Sequence, residues 1–250
     1  MSKSLTTGTP ASLGFCPDRT VGLMHVLQSE VASQRLPGAV ALIARHGQVL
    51  LHSSVGMQMP ALGKPMALDS IFRIYSMTKP VVSVAIMMLM ERGKLLLSDP
   101  VSKYLPEFAN VQVMAHVSGH AVLHHPKAAP TVQDLLRHTS GLTYEILGSE
   151  PIQKQYAQAR LASRERSNAE FSQALAAMPL MFEPGTTWEY SRATDLLGAL
   201  LEVVAGQSLG DFLQHNIFGP LGMVDTAFHV PPEKHHRIAE PFESDPDGGI

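Results

Sequence analysis

Strand signals nearly vanish from this 250-residue chain after its first third, and that asymmetry limits the folds open to it. Ala39-Val40-Ala41-Leu42-Ile43-Ala44 and Val49-Leu50-Leu51-His52-Ser53 are strand-like runs, with His46-Gly47 between them as the turn of a hairpin. Ahead of them Asp18 caps a helix in which Val21, Met24, Leu27 and Val31 recur at helical spacing before Pro37-Gly38. Residues 56–70 read as a polar connection. Beyond it the pattern is mostly helical, over 77–93, 131–138, about 168–178, 193–205 and 208–218. The stretches 108–130 and 144–165 read as long polar connections. Two strands make a marginal layer alone, so the expectation is an α+β chain whose sheet is completed by strands after residue 250.

Composition narrows the function classes. A chain 45% hydrophobic and 16% charged can bury a sizeable core. A net charge of −3 leaves no electrostatic footprint for nucleic acid or an anionic membrane, which points to a small-molecule partner. No apolar stretch follows a basic one in Met1-Ser2-Lys3-Ser4-Leu5, so the expected compartment is cytoplasmic. Val81 to Met90, the longest apolar run, is too short to span a bilayer. The single cysteine, Cys16, cannot form an internal disulfide and carries no assigned chemistry.

Ser76-Met77-Thr78-Lys79 opens the first long apolar helix, and Tyr190-Ser191-Arg192 follows far downstream. A serine hydroxyl needs a base within hydrogen-bond reach, and residues three apart on a helix share a face, so Lys79 stands beside Ser76. Pro80 is tolerated in a first helical turn. Charge developing beside Ser76 would meet the positive end of the helix dipole. Apolar neighbours Phe72, Val81, Val82 and Ile86 are expected to lower the Lys79 pKa and make it the proton acceptor, with Tyr190 relaying the proton onward. Alone, Ser-x-x-Lys arises by chance roughly once in a chain of this length.

Further blocks give the motif its context. Phe72 to Pro80, Leu135-Leu136-Arg137-His138-Thr139-Ser140-Gly141-Leu142, Phe182-Glu183-Pro184-Gly185, Tyr190-Ser191 and Pro220-Leu221-Gly222-Met223 occur in the order seen in the serine β-lactamase superfamily. Over roughly residues 20–230 the chain resembles class C β-lactamases and, most closely, family VIII carboxylesterases. The resemblance implies a serine β-lactamase/penicillin-binding-protein-like fold and a catalytic set of Ser76 as nucleophile, Lys79 as its partner and Tyr190. It implies no cofactor and no metal. The expected division is a flexible arm over 1–17, the N-terminal part of an α/β domain over 18–75, a mainly helical region over 76–230, and the start of a return to the α/β domain over 231–250. Arg192 departs from the family pattern, since class C β-lactamases carry asparagine there. The family's third motif, on a strand near the C-terminus, is not in the sequence. Losing one oxyanion donor costs on the order of a hundredfold or more in rate.

Other signals compete. Gly206-Gln207-Ser208-Leu209-Gly210 matches a nucleophile elbow, but a helix-like run precedes Ser208 where a strand is required, so Ser208 reads as a helix cap. His138 reads as part of a turn with Ser140-Gly141 rather than as a general base. His116 and His120 have the spacing of helix-borne metal ligands, with His124 and His125 nearby, but Gly119 and Pro126 argue for a loop. Trp188 and Phe182 read as packing residues, with the lining of an acyl pocket by one of them as the alternative. The sequence thus points to a serine hydrolase cleaving short-chain carboxylic esters through an acyl-serine, with self-association of the chain expected. The alternatives are a β-lactamase or D-alanyl peptidase acting on amides, and a non-catalytic or truncated family member.

Overall fold

The computed structural model describes residues 5–117, 120–147 and 150–242. The chain folds as two compact units, one from the segments up to Ile74 and from Leu221 onward, the other Tyr75–Pro220.

The first unit holds strand β1 (Thr6–Thr7), helix α1 (Pro17–Ala32) and strands β2 (Gly38–Arg45), β3 (Gln48–Met59) and β4 (Lys64–Pro65). The sheet runs β1-β3-β2, with β4 paired to β3. Ala44 pairs with Val49 and Arg45 with Gln48, which leaves His46 and Gly47 as a two-residue loop. Both have positive φ, 51° and 72°, the twist that a tight hairpin between right-handed strands requires. β3 extends beyond the expected strand to Met59, so residues 56–59 are strand rather than connection. The extension survives a close approach at Gly56, where φ is 73° and a Cβ would lie 2.4 Å from the Pro37 carbonyl oxygen. Downstream, Ile71 donates its amide to Arg237 and accepts one from Ala239, both at 2.8 Å. Buried Gln58 fastens the same region: its Nε2 donates to the His236 carbonyl and its Oε1 accepts from Ser70 Oγ, each at 2.8 Å.

The second unit carries helices α2 (Thr78–Glu91), α3 (Val132–Arg137), α4 (Glu150–Gln158), α5 (Asn168–Ala176), α6 (Ala193–Ala205) and α7 (Leu209–Leu213), with a hairpin of β5 (Val113–Val117) and β6 (His120–His124). α6 is the core. Ala193, Leu196, Leu197, Leu200 and Leu201 are buried around its circumference, and α2, α3, α5 and α7 all pack against it. α2 contributes the face Val82, Ala85, Ile86 and Leu89, one stripe at helical spacing.

Three expectations need correcting here. The connection 108–130 contains the β5–β6 hairpin, because Val111, Val113 and Met114 are buried and Val113 pairs with His124. The four-residue spacing of His116 and His120 therefore falls across a hairpin, not along a helix. The connection 144–165 contains α4, whose Ile152 and Tyr156, one turn apart, are fully buried despite polar neighbours. The helix expected over 208–218 is α7 followed by a π-helical turn, Gln214–Phe218. Among the described residues no single helix is long and apolar enough to cross a membrane.

Candidate active site

Ser76 sits in a short 3-10 turn, Tyr75–Met77, that leads into α2. Tyr75 has φ of 42°, a left-handed conformation that a bulky residue adopts only when its surroundings impose it. That bend leaves Ser76 exposed at the start of a helix whose other end is locked into the core.

The opposite wall is assembled from two segments tied together by their backbones. A capping box starts α3: the Thr131 side chain accepts from the Asp134 amide at 3.2 Å, and Asp134 Oδ2 accepts from the Thr131 amide at 3.0 Å. Asp134 also accepts from Thr139 Oγ1 at 2.7 Å, so it fixes both ends of α3 and the turn that follows. His138 ends the helix at φ of 58°. Gly141, at φ of 86°, lets the turn approach the Phe182 carbonyl, which a Cβ would meet at 2.5 Å. Along this edge Gly185 donates to Thr139 at 2.8 Å, Glu189 to His138 at 2.9 Å and Arg192 to Thr143 at 3.3 Å. Those bonds place Tyr190 between them.

The three residues singled out in the sequence meet. Ser76 Oγ lies 2.6 Å from the Tyr190 hydroxyl, and Lys79 Nζ donates to Ser76 Oγ at 3.2 Å. Lys79 Nζ also lies 4.6 Å from the centre of the Tyr190 ring and 6.0 Å from that of Tyr144. Burial works against the charge on Lys79, but Tyr190 and Tyr144 outweigh it and hold the pKa above the ordinary lysine value. The expected lowering is therefore reversed: two tyrosine side chains flank the ammonium and favour its charge more than burial opposes it. Tyr190 moves the other way. Burial raises its pKa, yet Lys79 and Ser76 more than offset that, and the phenol ionises below the ordinary tyrosine value.

His138 is not within the hydrogen-bonded set around Ser76. Its Nδ1 shares a 3.1 Å hydrogen bond with Ser191 Oγ, and its ring packs at 5.0 Å from Tyr190 and 6.2 Å from Trp188. Burial, and then the Lys79 charge, lower its pKa, so at neutral pH it is an uncharged wall. Trp188 is 63% exposed and stacks 6.4 Å from Tyr190, so it borders the site more than it packs. Ser208 caps α7, accepting from the Asp211 amide at 3.0 Å. Tyr144, Glu145 and Asp195 were not singled out in the sequence. Tyr144 lies 5.4 Å from the Tyr190 ring. Partial burial raises the Asp195 pKa against the pull of Arg192 and Lys79. Only its place one turn after Tyr190-Ser191-Arg192 could have drawn attention to Asp195.

A Ser-x-x-Lys pair entering a core helix, faced by a tyrosine from a second segment, defines the serine β-lactamase class, and the fold is that of serine β-lactamases and penicillin-binding proteins. The chain belongs to the Beta-lactamase family, whose model matches residues 23–249. It is similar to Esterase EstB of Burkholderia gladioli, 37% identical over 222 residues that cover 87% of this chain and 53% of that protein. It is 31% identical over 227 residues to monacolin J acid methylbutanoyltransferase of Aspergillus terreus, covering 85% of this chain and 52% of that protein. Among solved structures it is similar to EstCE1, described as a hydrolase with promiscuous acyltransferase activity. That match has a TM-score of 0.75 and 31% identity, and covers 89% of this chain and 58% of the other. The chain spans about half the length of the curated relatives it matches.

Proposed function

We propose that the protein is a serine hydrolase that cleaves short-chain carboxylic esters through an acyl-serine intermediate. The observation that carries this is the bracketing of Ser76 Oγ by the Tyr190 hydroxyl at 2.6 Å and Lys79 Nζ at 3.2 Å. Tyr190, ionised beside the Lys79 ammonium, takes the Ser76 proton as Oγ attacks the ester carbonyl. The tetrahedral intermediate collapses, the C–O bond to the alcohol breaks, and Tyr190 returns the proton to the leaving oxygen. Lys79 stays charged and holds the tyrosinate. Water, deprotonated by the same tyrosine, then attacks the acyl carbonyl, the C–O bond to Ser76 breaks, and Tyr190 returns the proton to Ser76 Oγ as the acid leaves. The Ser76 amide, near the start of α2, supplies one oxyanion donor.

The esterase and hydrolase relatives support ester substrates, and Arg192 in place of the family's asparagine weighs against β-lactams. A second reading is favoured by the transferase relatives: an alcohol in place of water would intercept the same acyl-serine, giving ester exchange.

Intact mass after incubation with a fluorophosphonate tests the nucleophile. A single adduct mapped to Ser76, lost in Ser76→Ala and kept in Ser208→Ala, is expected; an adduct lost only in Ser208→Ala overturns the assignment. Turnover of p-nitrophenyl butyrate well above nitrocefin is expected, and the reverse order favours amide substrates.

A further inference from the structure

Arg192 is held along one edge and on one face by residues of one short segment. Its Nη2 donates to Glu145 Oε1 at 2.5 Å and its Nε to Glu145 Oε2 at 3.3 Å. Its Cζ lies 4.8 Å from the centre of the Tyr144 ring. The Arg192 and Glu145 side chains are 14% and 20% exposed, so solvent screens this pair poorly. Asp195 is a more distant partner, 4.0 Å from Nη1. The Arg192 amide donates to Thr143 at 3.3 Å, one residue before Tyr144. Arg192 thus cross-ties the segment carrying Tyr190 to the segment carrying Tyr144, and the ring it stacks on is the one beside Lys79 and Tyr190.

A planar guanidinium is suited to this double role, since it chelates a carboxylate in its plane and stacks on an aromatic ring across its face. Both uses are taken up inside the protein.

We propose that Arg192 is a positioning residue: clamped by Glu145 and stacked on Tyr144, it fixes the Tyr144 ring beside Lys79 and Tyr190 and so sets the geometry in which Ser76 is acylated. The proposal rests on the reading of Ser76, Lys79 and Tyr190 as the reacting set. Its corollary is that the guanidinium does not bind a substrate carboxylate. The charged and titratable groups facing the Tyr144–Lys79 contact are Tyr190, His138, Arg192, Glu145 and Asp195.

The test is a pH titration of Lys79 by NMR in the whole chain labelled with 13C-lysine, the resonance being assigned by its loss in Lys79→Arg. The double variant Glu145→Gln/Arg192→Gln leaves the formal charge unchanged and removes only the clamp. It is expected to lower the Lys79 midpoint by about half a pH unit, as loss of one aromatic contact to a cation would. Turnover of p-nitrophenyl butyrate should fall several-fold in kcat with KM unchanged. Tyr144→Leu is expected to give the same shift, and adding it to the double variant should change nothing further. Arg192→Lys, which keeps the charge but cannot stack and chelate together, should show the shift in a chain whose melting temperature is close to the parent's. An unmoved Lys79 midpoint in the double variant overturns the proposal. So does a selective rise in KM for a carboxylate-bearing ester, which would put Arg192 on the substrate. The titration needs no substrate, so the expected shift in a chain that neither labels nor turns over would sustain the proposal while removing the hydrolase reading.

Discussion

At the scale of single residues the chemistry turns on an exchange of roles between Lys79 and Tyr190. The lysine pKa is raised and the tyrosine pKa lowered, so the charged pair, ammonium beside phenolate, is favoured over the neutral one. The sign of the pH dependence follows. Activity should rise as Tyr190 loses its proton, at a pH below the ordinary tyrosine range, and fall only when Lys79 loses its own, above the ordinary lysine range. The kcat/KM profile of p-nitrophenyl butyrate hydrolysis is expected to show that alkaline plateau, and Tyr190→Phe to lose about 10²–10⁴-fold in kcat. Lys79→Ala should move the rising limb to higher pH. The sole tryptophan, Trp188, stacks on Tyr190 and gives an independent reading through quenching as the phenol ionises. A rising limb left in place by Lys79→Ala would show that the lysine does not hold the tyrosinate. The identity of these residues could be read from the motif blocks, but the direction of the Lys79 shift could not. Spacing places Lys79 beside Ser76, whereas its charge state depends on Tyr144 and Tyr190, which arrive from distant segments.

At the scale of elements, the helices with strong apolar periodicity and clear punctuation were legible. α6 ends at Gly206 in the left-handed region, α7 begins on Ser208, and α2 shows a plain apolar stripe. The β5–β6 hairpin and α4 were not, for a common reason. Neither presents a sustained buried face: β6 is mostly exposed and α4 buries only Ile152 and Tyr156 among polar neighbours, so Ser118-Gly119 and Ser149-Glu150-Pro151, which are turn and helix-start signals in the sequence, punctuate no clear apolar period. α3 shows how much one short element decides. Asp134 is buried, which raises its pKa, but hydrogen bonds from Thr131 and Thr139 outweigh burial and hold it below the ordinary carboxylate value. A depressed folded pKa gives stability that is complete above the unfolded value and is lost as pH falls through the folded one. Thermal melts taken from neutral pH down through the carboxylate range should therefore show Asp134→Asn melting below the parent at neutral pH and losing less on acidification. Thr131→Ala should cost about 1 kcal/mol, the usual worth of a helix cap. Equal acid sensitivity in Asp134→Asn and the parent would exclude Asp134 as a contributor.

At the scale of the whole molecule, burial is distributed unevenly between the two units. Leu13, Met66 and Ile71 are the buried apolar residues described in the first unit, whereas in the second α2, α3, α5 and α7 pack against α6, and α4 and the β5–β6 region bury apolar side chains as well. α1 has no buried residue: of the periodic set Val21, Met24, Leu27 and Val31, Val21 is 71% exposed and the other three are only half-buried. Periodicity reports that a face exists; it does not report what covers it. Local stability should follow burial, because amides open where few apolar contacts must be broken. Hydrogen–deuterium exchange is expected to leave α2 and α6 protected longest, with α1 exchanging orders of magnitude sooner while the chain remains folded. Leu200→Ala, emptying a site with no exposure in α6, should cost about 2–5 kcal/mol and speed exchange across α2 and α5 together, since both helices pack against α6. Exchange of α1 as slow as that of α6 would mean that the first unit draws its stability from something other than buried apolar surface.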